Sequence, residues 1–332
     1  MIKTRQISLP EAGLTLVELM VSMAIGLFLV GAVSTLYVKT RGGFDYANEV
    51  ARIQETGRFA FGAIGRDIRS AGYNGCGYSS KTRTINILTD AATDPFLNFL
   101  TPIRGYNGSS YPSAMLTSGG DAPISGTDAL ILIGGDSSRE MVVKAHVVPN
   151  ITTATHAFKA GEILLGTDCA KASIFHVAGI TATTVSHATG GTPANCHQAI
   201  NLACSATSSS VSATLKPGSL LMPVFSNAYF IANSASGSTR SLWMMQMVGE
   251  TDGTPTAREL LVGVTDMQIT YGIDSNNDGK IDSSTDSPSN WNQVASISIA
   301  LTAESANTKI SSTKGKITKT FNETFVARNR TQ

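Results

Sequence analysis

Glu11-Ala12-Gly13-Leu14-Thr15-Leu16-Val17-Glu18-Leu19-Met20 opens the stretch that decides the fold, and the apolar run it begins continues to Val38. No charged residue occurs from 19 to 38. A helix of about 20 such residues rises about 30 Å, the depth of a bilayer's hydrocarbon core. Between 14 and 38 the sole charge is Glu18. An ionisable group at that depth costs roughly 2.5–3.5 kcal/mol on insertion scales and is by default a functional hypothesis. Lys3 and Arg5 precede the run and favour a cytoplasmic N-terminus. The small pair Ala12-Gly13 lies before the apolar core, whereas an ordinary secretory signal is cut after it.

Working outward, the helical pattern weakens at Gly42-Gly43 and then resumes. Phe44, Ala47, Val50, Ala51, Gln54, Arg58, Phe61, Ile64 and Ile68 recur at three- and four-residue steps, with Arg52, Glu55, Arg66 and Arg69 mostly off that stripe. The pattern predicts one long helix over 14–71, loosened at the glycine pair, which Gly72 and the Gly75-Cys76-Gly77 segment end.

The segment Gly13-Leu14-Thr15-Leu16-Val17-Glu18-Leu19-Met20 resembles the class III leader and helix start of type IV prepilins and type II secretion pseudopilins. The resemblance implies a prepilin peptidase that cuts after Gly13 on the cytoplasmic side and methylates Leu14, with Glu18 as the acidic residue of the mature helix. Leu14 departs mildly from the more usual Phe. Arg58-Phe59-Ala60, then Arg66-Asp67-Ile68-Arg69-Ser70-Ala71-Gly72-Tyr73-Asn74-Gly75-Cys76, resembles the PilW-like minor pilins of type IV pilus machines, as does the ending from Phe325 to Arg330. Physical chemistry agrees with the leader assignment. A carboxylate in apolar surroundings needs a cationic or hydrogen-bonding mate. Cleavage creates an α-amine that is largely charged near neutrality, on the same chain or on a neighbouring helix, and methylation keeps its charge.

The 332 residues suffice for a membrane helix and a large extracytoplasmic part. Lys plus Arg number 25 against 24 Asp plus Glu, so net charge offers nothing to nucleic acid. Punctuated by Asp94-Pro95, Thr101-Pro102, Tyr111-Pro112 and Ala122-Pro123, the stretch 81–126 reads as loop. Strands are predicted at 129–133, 141–148, 163–165, 174–178, 183–186, 219–223, 227–232, 241–248, 260–271, 294–300 and 317–327. The Gly/Thr/Ser/Ala-rich 188–210 reads as a surface excursion. One long helix followed by antiparallel strands makes an α+β fold, pilin-like, with the second half of the helix packed on a β-sheet domain with long loops.

Four cysteines in a translocated chain permit disulfides. Of the three pairings that Cys76, Cys169, Cys196 and Cys204 allow, the preferred one joins Cys196 to Cys204 within the polar excursion and Cys76 to Cys169, stapling the helix exit to the sheet. The histidines at 146, 156, 176, 187 and 197 form no HExxH or triad signature and read as ordinary surface or partly buried groups. Nothing in the sequence establishes an activating base beside any cysteine, so a thiol nucleophile is not expected, and the assembly reading implies no enzyme. The chemical motif to weigh is Asp274-Ser-Asn-Asn-Asp-Gly-Lys-Ile-Asp282. Its spacing matches the start of an EF-hand calcium loop, with Asp274, Asn276, Asp278, the Lys280 carbonyl and Asp282 as oxygens and Gly279 at the turn. Thr285 stands where a bidentate Glu is expected, Asp286 follows it, and strands rather than helices flank the loop. The alternative is an Asx-rich turn between strands.

These readings divide the chain into a leader 1–13, a transmembrane assembly half-helix 14–38, an amphipathic half-helix 39–76 and an extracytoplasmic β-rich domain 77–332. The resemblance implies a minor pilin that acts by assembly in the initiation or tip complex of a type IV pilus. Its expected partners are the prepilin peptidase, other minor pilins, the major pilin and the inner membrane, with no nucleic acid and no required cofactor, calcium aside. It would reside in the inner membrane and, after assembly, in the pilus. The alternatives are a type II secretion pseudopilin, a membrane-tethered periplasmic enzyme and a tethered calcium-dependent adhesin.

Overall fold

The structure is a computed structural model that describes residues 13, 15–76, 83–108, 110–113, 115, 122–200, 202, 204, 214–237, 239–246, 256–306 and 315–329. The leader before Gly13, the methylation position Leu14 and Arg330 lie outside the described residues. Helix α1 spans Leu16–Ser70, 55 residues, and passes through Gly42-Gly43 without the expected loosening. Its first turn is closed by a reciprocal pair. The Glu18 carboxylate accepts from the Thr15 backbone N–H and hydroxyl, both at 3.1 Å, and Thr15 Oγ1 accepts from the Glu18 N–H at 3.2 Å. Thr-x-x-Glu is a capping box, which satisfies two of a helix's orphan donors at once. At the other end Gly72 takes the left-handed conformation at φ +74° that stops helices, and its N–H donates to Ile133 O at 2.8 Å.

The chain falls into two compact units, Met1–Ala51 with Asn307–Ile317, and Arg52–Ala306 with Thr318–Gln332. In the first, the apolar side chains of α1 stay exposed: Leu27 is 73% and Phe28 77% accessible. Its hydroxyls turn back onto the helix, Ser22 to Glu18 O and Thr35 to Gly31 O at 2.6 Å.

The second unit is β-rich. Two short strands, β1 (Arg83–Asn86) and β2 (Ile103–Tyr106), lie in the stretch expected as loop. Next come β3 (Ala129–Gly135), β4 (Met141–Val142), β5 (Ala145–Val147) and β6 (Asn150–Thr152). They are followed by β7 (Ile163–Thr167), β8 (Lys171–His176), β9 (Gly179–Ile180) and β10 (Thr184–Ser186). The expected strands at 219–223 and 227–232 are one element, β11 (Leu220–Asn233). Pro223 sits inside it: on one edge pairing with β7 ends at Pro223–Leu164, and on the other pairing with β4 ends at Leu221 and pairing with β3 begins at Val224–Gly135. A residue without an N–H is tolerated at such a change of partner.

Strand β12 (Arg240–Gln246) then pairs with β13 (Thr256–Val262). The strand expected at 260–271 is broken by Gly263, at φ +89°, and restarts as β14 (Val264–Ile273). The chain closes with β15 (Ser283–Thr285), β16 (Val294–Glu304) and β17 (Thr318–Val326). Among the described residues three sheets form. The large one runs β1-β8-β7-β11-β12-β13, with β3 and β4 on the other side of β11 and β2 beyond β3; the others are β5-β6-β10-β9 and β15-β14-β16-β17. All pairs are antiparallel except β1 with β8.

The C-terminal part of α1 packs where two sheets meet. Phe61, Ile64 and Ile68 lie in one core cluster with Leu132, Tyr229 and Ile231 of the large sheet and with Ile269, Ile299 and Phe325 of the β15–β17 sheet. Fully burying side chains of this size stabilises by about 1.5–3 kcal/mol each. Gly65 lets α1 approach β17, since a Cβ there would run into the Phe325 ring; at Gly57 the nearest atom of Phe321 would be 3.0 Å away. The expected surface excursion at 188–210 is partly interior. Asn195 is 2% accessible, and its side chain accepts the His176 N–H at 2.8 Å and donates to His176 O at 2.7 Å.

Candidate functional site

The apolar N-terminal helix is the first candidate site. Gly13 and Thr15 flank Leu14, and Glu18, in the first turn of the helix, has Thr15 as its hydrogen-bond mate. The sequence reading gave Glu18 an amine for a partner and passed over the Thr15-x-x-Glu18 signature that was there to be read. One helix, Leu16–Ser70, contains a window long and apolar enough to cross a membrane, and none of that window is buried within the chain.

The second candidate is the joint between this helix and the β domain. Asp67 is buried, and its Oδ2 accepts from Asn227 Nδ2 at 2.7 Å and from Tyr229 Oη at 2.6 Å, both on β11. Burial, with the Asp67 charge beside it, pushes the Tyr229 phenol well above its ordinary pKa, so it remains a donor. Arg66, 75% accessible on its side chain, stands 3.8 Å from Asp67 Oδ1. Asn329 closes the joint from the far end of the chain, donating from Nδ2 to Arg69 O at 3.0 Å and to Ala71 O at 3.2 Å. Arg69 O belongs to the last turn of α1 and has no partner within it, and Ala71 O lies just beyond. Sequence reasoning picked out the segments holding Asp67 and Asn329 through a resemblance but not what the two side chains do.

The cysteines pair as Cys76–Cys169 and Cys196–Cys204. The first links the exit of α1 to the β7–β8 turn across 93 residues, and the second closes a loop of 8.

In the 274–286 loop the oxygens proposed for a cation serve the loop's own backbone. Asp274 accepts from the N–H of Asp278 at 3.2 Å and of Gly279 at 2.9 Å, and Asn276 accepts from Asp278 N–H at 3.0 Å. Asp278 accepts from Lys280 N–H at 2.9 Å, and Asp282 from the N–H and hydroxyl of Ser275. The Ser275 bonds hold the Asp282 carboxyl below its usual range. Asp286 turns away to Asn107 at 3.0 Å, and Thr285 belongs to β15, paired with Tyr271. Among the described residues no three His, Cys, Asp or Glu side chains form a metal-holding group. The residues present do not fit a calcium cage; they make an Asx-rich turn with Asn277 and Gly279 in the left-handed region, at φ +58° and +83°.

Two family models match. The prokaryotic N-terminal methylation motif covers residues 10–34, which hold Gly13, Leu14, Thr15 and Glu18. Type IV Pilus-assembly protein W covers residues 228–331, which run from the Tyr229 end of β11 through β17 to Asn329. In these two stretches the chain is similar to PilW-like pilins with a prepilin signal. No curated protein and no solved structure matches it. The two matches frame the PilW-like chain from both ends: one covers the exposed start of α1, the other the sheet on which the end of α1 packs. The signature at 58–76 falls outside both. An apolar helix with the methylation motif fits a membrane-anchored, single-pass pilin that is a component of a pilus and undergoes peptidase processing.

Proposed function

We propose that this PilW-like pilin is a low-copy minor pilin of the initiation or tip complex of a type IV pilus, acting by assembly and not as an enzyme. The observation that carries the reading is the uncovered start of α1: side chains such as Phe28 and Leu36 are 77% and 67% accessible, in a segment whose single acid lies within the methylation motif. Side chains this apolar lower the free energy only against lipid or other helices. The prepilin peptidase cuts between Gly13 and Leu14, leaving an amine one residue from Thr15, the present mate of Glu18. The helix then packs beside the major pilin and other minor pilins, first in the inner membrane with the β domain extracytoplasmic, later in the pilus. A large domain on that helix suits a subunit used in few copies. Surfaces for neighbours include the outward stripe of α1, where exposed Phe59 and Gly62 lie between Glu55, Arg58 and Arg66.

The test is direct. N-terminal sequencing of the protein from cells with the prepilin peptidase is expected to begin at methylated Leu14, and from cells lacking it at the unprocessed start. An N-terminus beyond Val38 overturns the reading. Glu18→Leu is expected to keep the folded domain and to lose partner association and surface filaments; unchanged filaments refute the assembly role.

A further inference from the structure

We infer that His146 and His187 form an acid-released latch that closes the small sheet, β5-β6-β10-β9, on the face it turns to the large one. His146 lies on β5 opposite Ile151 of β6, and His187 follows β10, its N–H bonded to Pro149 O at 2.9 Å. Residues 149 and 151 share one face of β6, as 185 and 187 share one face beyond β10. The two rings therefore meet over β6 on the side that carries Ile151 and Val185, which are buried against Leu164 and Phe175 of the large sheet. Their Nε2 atoms are 2.8 Å apart, the rings stand edge to face at 4.9 Å, and His187 lies 5.4 Å from the Phe175 ring.

Hydrogen-bond partners assign the protons. Leu215 N–H donates to His146 Nδ1 at 2.8 Å, so His146 carries its proton on Nε2 and donates it to His187 Nε2. His187 then carries its proton on Nδ1, a buried atom with no hydrogen-bond partner. Each ring uses one nitrogen as an acceptor, which only a neutral imidazole provides. A proton added at His146 Nδ1 would confront Leu215 N–H, and one added at His187 Nε2 would confront His146 Nε2–H. Either breaks a bond and puts a charge into an apolar layer.

The groups on the elements around the pair offer no compensation. Lys144 before β5 and Lys216 beside Leu215 are cationic and exposed. Glu162, at the entry to β7, is buried and already holds Arg139 at 2.9 Å and Lys159 N–H at 3.1 Å. His156 stacks on Phe158, and His176 follows Phe175 along β8. Burial lowers the pKa of His146 to about 4; burial and then its neighbour His146 lower that of His187 to about 3. With folded values below the ordinary one, the closed contact keeps its full stability above about pH 6.5 and loses it as pH falls from there towards those values. Two pH units below the ordinary value, each histidine that is neutral when closed and charged when open raises the opening constant about a hundredfold.

Hydrogen exchange on the full chain in detergent micelles, corrected for intrinsic rates, tests this at pH 7.0 and 4.5. Protection over 145–187 is expected to fall about a hundredfold or more at the lower pH, while protection over 264–304 changes little. An equal fall in both regions, or none in the first, overturns the latch. His187→Gln keeps an acceptor for His146 and cannot titrate; it is expected to retain roughly ten- to a hundredfold more of the pH 7.0 protection at pH 4.5. A fall as large as in the parent overturns it. Should that variant not fold, the imidazole nitrogen shifts of the unaltered protein decide. Both rings neutral at pH 5.5, with His146 protonated on Nε2, support the latch, and either ring titrating near its ordinary value refutes it.

Discussion

The two ends of α1 both carry large apolar side chains, all round the helix at one end and on one face at the other, and these have opposite fates. Around Leu27 and Phe28 the side chains are mostly exposed, whereas Ile64 and Ile68 are fully buried. Only at the C-terminal end does the chain itself supply the cover, from β11, β14, β16 and β17. At the N-terminal end the cover must come from lipid or other subunits. The polar groups divide in the same manner. Asp67 reaches across 160 and 162 residues to Asn227 and Tyr229, while Glu18 reaches three residues back to Thr15. One acid ties the helix to the β domain, and the other bonds only within its own first turn.

This contrast can be broken in several ways. Phe325→Ala, which removes the ring against Gly65 and Phe61, is expected to destabilise the β domain by about 3–5 kcal/mol in denaturant unfolding. Phe28→Ala should shift the same transition by no more than about 0.5 kcal/mol, as expected for exposed sites. Equal effects would sink the comparison. Removing the Cys76–Cys169 bond by serine substitution should cost about 4 kcal/mol and removing Cys196–Cys204 about 2 kcal/mol, following the lengths of the loops they close. Melting of the two double variants checks the order. Asp67→Ala leaves Asn227 Nδ2 and Tyr229 Oη without their acceptor, at about 1–3 kcal/mol. Asp67→Asn should recover part of that loss, and no recovery would assign the effect to packing. The smallest effect is expected from calcium. A saturating site would add about 2.7 kcal/mol at a hundredfold excess over its dissociation constant. With the loop's carboxylates held by their own backbone, the midpoint should stay where it is, and a rise abolished by Asp278→Ala would restore the calcium reading.

The helix was legible because its periodicity is long, and strands such as β3 and β16 because their apolar residues are dense or alternate, Val294–Glu304 burying nearly every second side chain. β1 and β2 were not. Arg83-Thr-Ile-Asn and Ile103-Arg-Gly-Tyr are four residues each, mostly without an apolar alternation, and exist because β8 and β3 offer edges. Gly105 in β2 is needed only because Tyr271 comes against it from a strand far along the chain. Asn195 failed as a surface prediction for a similar reason. Its composition is that of a loop, yet its amide fits the backbone of His176. Of the proposed site residues, Gly13, Leu14 and Glu18 stand out through local spacing within the methylation motif, and Thr15 could have been added on the same grounds. The roles of Asp67 and Asn329 depend on partners more than 150 residues distant, which no local pattern reveals.

Asn329 bonds a carbonyl made 260 residues before it. The exit of α1 is therefore sealed by a residue synthesised long after the helix itself. A chain that stopped short of Asn329 would keep both disulfides yet leave these carbonyls open. The helix end thus waits on the strand that precedes Asn329 for its last hydrogen bonds.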